Sequence, residues 1–188
     1  MFNIFKLLRR DPYLDPAHRL YVALVGQARQ PGFYAGLGVP DSLDGRFEMI
    51  SLHAFLVLRR LRAAGEPGRR LGQALFDVMF ADMDQNLREM GVGDLGVGKR
   101  VKAMASGLYG RIAAYEGALA GPDDEAQAAL RRNVFGTAEP PADALPALAL
   151  YLRREAEALA GQPDVAIMAG DVRFGAPPEA GAAPAQGR

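Results

Sequence analysis

Residues 44–64 have the sequence DGRFEMISLHAFLVLRRLRAA, which is apolar on two sides of a helix. The apolar residues recur at spacings of three and four, the period of an α-helix, and they form two stripes. The first stripe comprises Phe47, Ile50, Ala54, Val57, Leu58 and Leu61, and the second comprises Met49, Leu52, Phe55 and Leu56. A helix that must be covered on two faces belongs at the centre of a bundle, so this stretch predicts an all-α fold.

Helical periodicity continues on both sides of this stretch. Further helices are predicted over about 15–30, 67–90, 98–120, 124–135 and 142–160, with Pro, Gly or Asp at their ends. Only 165–168 resembles a strand, and weakly, so no sheet is expected. The sequence therefore predicts a single-domain bundle of about six to seven helices, with a glycine-rich helix-joining loop at 91–98.

The two ends of the chain differ from this body. Residues 1–10 form a short amphipathic N-terminal segment, residues 11–174 the helical domain, and residues 175–188 an Ala/Gly/Pro tail. The tail has too few large side chains to offset its ordering entropy, so it is predicted to be disordered.

Composition limits the classes of function. The 22 basic and 22 acidic residues cancel, whereas a nucleic-acid-binding protein normally carries a basic excess, so no specific nucleic-acid partner is expected. The chain has no Cys, three Ser and one Thr, which leaves few candidate nucleophiles and no thiolate for a metal. No cofactor and no metal site are predicted.

The N-terminal segment MFNIFKLLRR places its charges after its apolar residues, unlike a secretory signal. No apolar run is long enough to span a membrane. A cytoplasmic location is predicted, with peripheral contact at the inner face of the membrane. Residues 2–10 would make that contact weakly and reversibly, through five apolar and three basic side chains. These are Phe2, Ile4, Phe5, Leu7 and Leu8, with Lys6, Arg9 and Arg10.

Two glycine patterns resemble nucleotide-binding motifs. Residues 91–96 match G-x-G-x-x-G, and residues 93–99 match G-x-x-x-x-G-K. The first pattern needs a preceding strand, but a predicted helix precedes it; the second needs Ser or Thr after Lys99, but Arg100 follows. A helix C-cap and connecting loop account for these glycines better.

Asp82, Asp84 and Asn86 copy the first half of an EF-hand loop, but Leu87 replaces the glycine that its sharp turn requires. An exposed acidic helix face is the better interpretation. Arginine pairs at 9–10, 59–60, 69–70, 131–132 and 153–154 have two interpretations, solvated helix ends or a patch that attracts lipid headgroups or ribosomal RNA.

Several stretches, in their order along the chain, resemble the ubiquinol–cytochrome c chaperone family. They are Tyr34–His53 (YAGLGVPDSLDGRFEMISLH), Asp84–Asp94 (DQNLREMGVGD), Val97–Lys99, Tyr109–Arg111 and Arg132–Phe135. The resemblance covers roughly 21–159 and is to a bacterial-type member. It implies an assembly factor that is not an enzyme: family members help cytochrome b enter the ubiquinol–cytochrome c reductase, beside a small partner protein and near the ribosome exit.

The junction of the two long helices is the predicted partner surface, because both charge signs flank a small apolar centre there. Its charged residues are Arg88, Glu89, Asp94, Lys99, Arg100 and Lys102, beside Met90, Val92 and Leu95. An alternative function is a small helical enzyme or ligand-binding protein with an interhelical pocket near His53 and Glu48. An enclosed polar pocket around His53 would favour it.

Overall fold

A computed structural model describes residues 11–136 and 138–178 of the chain. Within these residues there are seven α-helices and no strand, which confirms the all-α prediction. The helices are α1 (Leu14–Ala28), α2 (Leu43–Ala63), α3 (Gly65–Glu89), α4 (Asp94–Ala120), α5 (Asp123–Leu130), α6 (Ala144–Ala160) and α7 (Asp164–Met168). The predictions for residues 1–10 and 179–188 lie outside the described residues.

Helix α2 is the centre of the bundle, as its two apolar stripes predicted. Helices α1, α3, α4 and α6 all pack against it. Its start is fixed by Ser42, whose hydroxyl accepts a hydrogen bond from the backbone N–H of Gly45 at 3.1 Å. An unbroken run from Ser51 to Val57 is buried, and it includes both His53 and a serine. Polar residues of α2 therefore lie inside the core and need partners there.

The outer helices connect in pairs around α2. Helix α1 packs on α3, α3 packs on α4, and α4 continues through α5 to α6. Two single π-helical turns, Gly32–Gly36 and Arg131–Phe135, link these elements and direct Phe33 and Phe135 into the core. Gly136 follows the second turn with φ of 58°, a left-handed conformation that glycine adopts without strain.

The joining loop between α3 and α4 is shorter than the predicted span of 91–98. Helix α3 ends at Glu89 and α4 begins at Asp94, so Gly96 and Gly98 lie in the first turns of α4. The backbone N–H groups of Gly96 and Val97 bond to the carbonyl of Gly93 at 2.8 and 3.0 Å. A glycine weakens a helix by only about 1 kcal/mol relative to alanine, which these hydrogen bonds offset.

The C-terminal end of the described chain also differs from its predicted boundaries. Residues 165–168, the one weak strand candidate, belong to α7. Residues 175–178, predicted to belong to the tail, contact the helical body. Gly175 donates its N–H to buried Glu155 at 2.8 Å, and its carbonyl accepts from Gln27 at 2.7 Å. These hydrogen bonds hold Gly175 against α1 and α6.

Candidate functional site

His53 lies at the centre of a hydrogen-bonded chain that crosses the bundle. Its Nδ1 is 2.7 Å from the carbonyl of Met49, which can only accept, so Nδ1 carries the proton. Its Nε2 then accepts from the hydroxyl of Tyr151 at 2.8 Å, and that hydroxyl accepts from Gln27 at 2.9 Å. The rings of Phe33, Tyr151 and Phe174 each contact the imidazole edge-on, and Phe33 also contacts Tyr151 in this way. The network joins α1, α2 and α6.

This environment keeps His53 neutral. Burial lowers the pKa of His53 to about 4, with the bond to Met49 acting weakly in the opposite direction. Burial also raises the pKa of Tyr151, so its hydroxyl stays protonated. Both ring nitrogens are occupied and the ring is fully buried, so His53 has no nitrogen free for catalysis or for a ligand. Glu48, the other residue of the alternative pocket, pairs with Arg111.

The six predicted partner-binding residues lie together at the α3–α4 corner, and all are exposed. We call this set, with Met90, Val92 and Leu95, the corner surface. Arg88 is held by Asp84 at 2.6 Å and by Asp94. In the described part of the chain, no carboxylate lies within 4.0 Å of a side-chain nitrogen of Lys99, Arg100 or Lys102. The corner surface therefore presents one fixed cation and three cations that are free of such pairing.

Large apolar side chains at this corner are uncovered. Leu95 is 95% exposed and Met90 is 54% exposed, whereas Val97 in the next turn is fully buried. A single exposed leucine is ordinary, but two neighbouring large apolar residues ringed by charges match the anatomy of a small binding surface.

A concave surface lies between α2, α4 and residues 132–136 and 138, and its volume is about 660 Å³. We call it the α2–α4 groove. Its floor contains the ion pair of Glu48 and Arg111, in which both carboxylate oxygens are bonded by the guanidinium, Nε to Oε2 at 2.5 Å. The Arg111 guanidinium also lies 5.3 Å from the ring centroid of Phe47. Apolar walls come from Phe47, Met104, Val134 and Phe135.

Several polar groups in and near the groove lack partners. Asn133 lines the groove, and among the described residues its buried Nδ2 has no hydrogen-bond partner; the Ser51 and Tyr115 hydroxyls, which do not line the groove, are buried in the same state. Burial also raises the pKa of Tyr115, and the nearby Glu48 carboxylate raises it further. Buried polar groups without partners are uncommon in folded proteins, so this cluster needs a physical reason.

One residue of the corner surface, Arg100, lies on the same side of α4 as two residues of the groove. Arg100, Met104 and Arg111 follow one another at spacings of four and seven residues, which places them on the same side of the helix. Leu95, Lys99 and Lys102 of the corner surface lie on the opposite side of α4. Three of the stretches that carry the family resemblance, 34–53, 109–111 and 132–135, contribute lining residues to the groove, although they are far apart in the sequence.

Comparison with known proteins identifies the family. A family model described as ubiquinol-cytochrome C chaperone matches residues 35–174. The chain belongs to this family. It is 26% identical over 143 residues to the ubiquinol-cytochrome c reductase complex assembly factor 1 of Mus musculus, covering 76% of this chain and 48% of that relative. Against the Xenopus laevis protein of the same name it is 24% identical and covers 72% of the relative.

A solved structure is more similar. It is the crystal structure of the Cbp3 homolog from Brucella abortus, with 39% sequence identity and a TM-score of 0.77, covering 91% of this chain and 96% of that chain. The chain spans about half the length of the mouse relative, which has additional sequence outside the shared region. The chain therefore shares its helical fold with the Brucella abortus protein.

The glycine patterns and the acidic run have structural roles in this chaperone-family chain. Helix α3, not a strand, precedes the glycine patterns, and Lys99 is an exposed residue of α4. Asp82 accepts from Tyr21 at 2.7 Å and from Asn86 at 2.9 Å, while Asp84 binds Arg88, so these residues form an internally paired helix face.

Most of the arginine pairs also contact the protein itself. Arg60 is buried and donates to the carbonyl of Leu159 at 2.9 Å, and Arg131 binds Glu139 at 2.7 Å. Arg153 donates to the carbonyls of Leu119 and Gly121 at 3.0 and 2.8 Å, a contact that closes the α4–α5 turn. These contacts favour the helix-end interpretation. Within the described residues, no helix is both long and apolar enough to cross a bilayer.

Proposed function

We propose that this chain is a non-catalytic assembly chaperone that binds a respiratory-complex client, cytochrome b of the ubiquinol–cytochrome c reductase, through the corner surface. Membership of the chaperone family and relatives named as assembly factors of that complex support the class of function. The observation that carries the binding surface is Leu95, 95% exposed beside Met90 at a corner ringed by charged residues.

The geometry of the corner suits reversible binding. The apolar centre is small, so the area it can bury is modest and release is easy. Arg88 is fixed in place by Asp84 and Asp94, and a side chain that is already ordered loses less entropy when it binds. The rim carries both charge signs, with Glu89 and Asp94 beside Lys99, Arg100 and Lys102, and would select a client segment with the complementary pattern, since rim charges act mainly on association rate and specificity.

Two further partners belong to this proposal. A small partner protein would act beside the chain, as the family resemblance implies. Residues 2–10 would touch the inner face of the membrane weakly, keeping a cytoplasmic chaperone close to where its client is inserted.

Reversal of charge at the corner tests the client surface. Glu89→Lys combined with Asp94→Lys should lower cytochrome b accumulation in cells that lack the natural copy, while helical content stays unchanged. The matched control is Asp77→Lys with Glu157→Lys, two exposed carboxylates on α3 and α6 outside the corner. Full complementation by the corner variant would contradict the proposed surface.

A further inference from the structure

The α2–α4 groove has chemistry that the corner surface lacks, and we infer that it binds an extended peptide segment of the client. The inference rests on the proposed function, because it names a second binding surface for the same client.

The unpartnered donors come from three residues. Nε and Nη2 of Arg111 are used by Glu48, whereas its Nη1 makes no hydrogen bond within the described residues. Arg132 is exposed, and in the part of the chain that the structure describes no carboxylate lies within 4.0 Å of its guanidinium. Nδ2 of Asn133 has no hydrogen-bond partner within the described residues, which leaves a donor for an acceptor that enters the groove.

The groove also presents an acceptor. Asp44 lines it and is exposed, and among the described residues no basic side chain lies within 4.0 Å of its carboxylate. A small free anion would therefore meet Asp44 and Glu48 as well as the arginines, which weakens its binding. A ligand that carries donors and acceptors in alternation fits both sets of groups, and a peptide backbone is such a ligand.

The apolar walls agree with this occupant. Phe47, Met104 and Val134 surround the polar groups, so a peptide that bonds its backbone to the donors could place an apolar side chain against these walls. Arg100 of the corner surface lies about one turn of α4 before Met104 of the groove, whereas Leu95, Lys99 and Lys102 lie on the other side of the helix. The corner and the groove are therefore two separate surfaces, and different segments of one client would bind them.

The groove can be filled without touching the core. Ala103 is exposed and lines the groove, and Ala113 is exposed on the same helix but does not line it. The probes are fluorescein-labelled 15-residue peptides tiled across the segments of cytochrome b outside its membrane-spanning helices, titrated with the full chain and followed by fluorescence anisotropy. At least one peptide should bind saturably, Ala103→Trp should weaken it at least tenfold, and Ala113→Trp should leave it unchanged.

A second pair of variants covers the case in which Ala103→Trp lowers the melting temperature. Arg132→Ala should weaken the same peptide at least about tenfold, the loss of one hydrogen bond to a charged donor, whereas Arg131→Ala should not. Arg131 is the matched control because it is paired with Glu139 and does not line the groove.

Three results would overturn the inference. In the first, no peptide binds saturably. In the second, Arg132→Ala and Arg131→Ala bind the peptide equally well. In the third, succinate displaces the peptide, which would show that the groove is a small-anion site. The proposed function is tested separately by cytochrome b accumulation in the corner variant, so it could stand although the groove bound no peptide. Loss of peptide binding in the groove variants, but not in their controls, would support peptide binding in the groove. The cytochrome b accumulation assay tests the corner surface independently.

Discussion

Tyr151 of α6 donates its hydroxyl hydrogen to Nε2 of His53 on α2, across 2.8 Å of the buried core. The two residues are 98 positions apart, and both are fully enclosed. His53 is thus a hydrogen-bonded residue of the core, and burial keeps its imidazole uncharged.

Removing that hydroxyl should destabilise the fold. Tyr151→Phe leaves the buried Nε2 of His53 without a donor and removes the acceptor for Gln27, so the free energy of unfolding should fall by about 1–3 kcal/mol. Urea denaturation followed by circular dichroism measures it. Tyr109→Phe is the control, because Tyr109 is 61% exposed and its hydroxyl makes no hydrogen bond within the described residues. Equal stability of the two variants would contradict the network.

The neutral His53 should make stability depend on pH. Its pKa falls from 6.5 to about 4 on folding, so the unfolded chain binds the extra proton first as pH falls. The stabilisation is fully present above pH 6.5 and is lost as pH falls toward 4; by pH 5 the loss should reach about 2 kcal/mol.

Unfolding free energies measured between pH 7 and pH 5 check this dependence. His53→Gln should flatten the pH profile, and exposed His18→Gln should leave the wild-type slope intact. A profile that His53→Gln does not alter would assign the slope to other groups.

The ion pair in the groove should behave as a unit. Arg111→Met alone leaves the Glu48 carboxylate, 9% exposed, without its counterion and should cost about 3 kcal/mol of stability. Glu48→Leu combined with Arg111→Met should recover most of that loss, because two apolar side chains need no partner. A double-mutant cycle by chemical denaturation gives the coupling, and strict additivity would show that the pair contributes no interaction.

Gly45 should tolerate no side chain. A Cβ there would lie 2.0 Å from the carbonyl oxygen of Pro40, a backbone atom that cannot move aside cheaply. Gly45→Ala should lower the free energy of unfolding by about 3 kcal/mol. Gly110→Ala on exposed α4, where no other atom lies within 4 Å of the new Cβ, should raise it by about 1 kcal/mol. Thermal melts of the two variants should therefore shift in opposite directions.

Periodicity was sufficient for the fold class and for most helix positions, since α2 carries its two buried stripes in its own sequence. The start of α4 was harder to predict. Gly96 and Gly98 suggest a loop by local propensity, but the hydrogen bonds to Gly93 and the burial of Val97 extend the helix over them. The groove was not predicted, because its residues come from three separate stretches. The pairing of Glu48 with Arg111 leaves no signal in the spacing of either residue.

The sequence by itself determined the features that depend on composition and on neighbouring residues. These are the helical period, the helix ends set by Pro, Gly and Ser, the balance of acidic and basic residues, and the motifs that carry the family resemblance. Tertiary structure alone decided the roles of the polar residues inside. Three such roles depend on which helices pass nearby: whether His53 is hydrogen-bonded, whether Glu48 has a counterion, and whether Leu95 is covered. Helical spacing fixes the face on which a residue lies, and only packing fixes what that face meets.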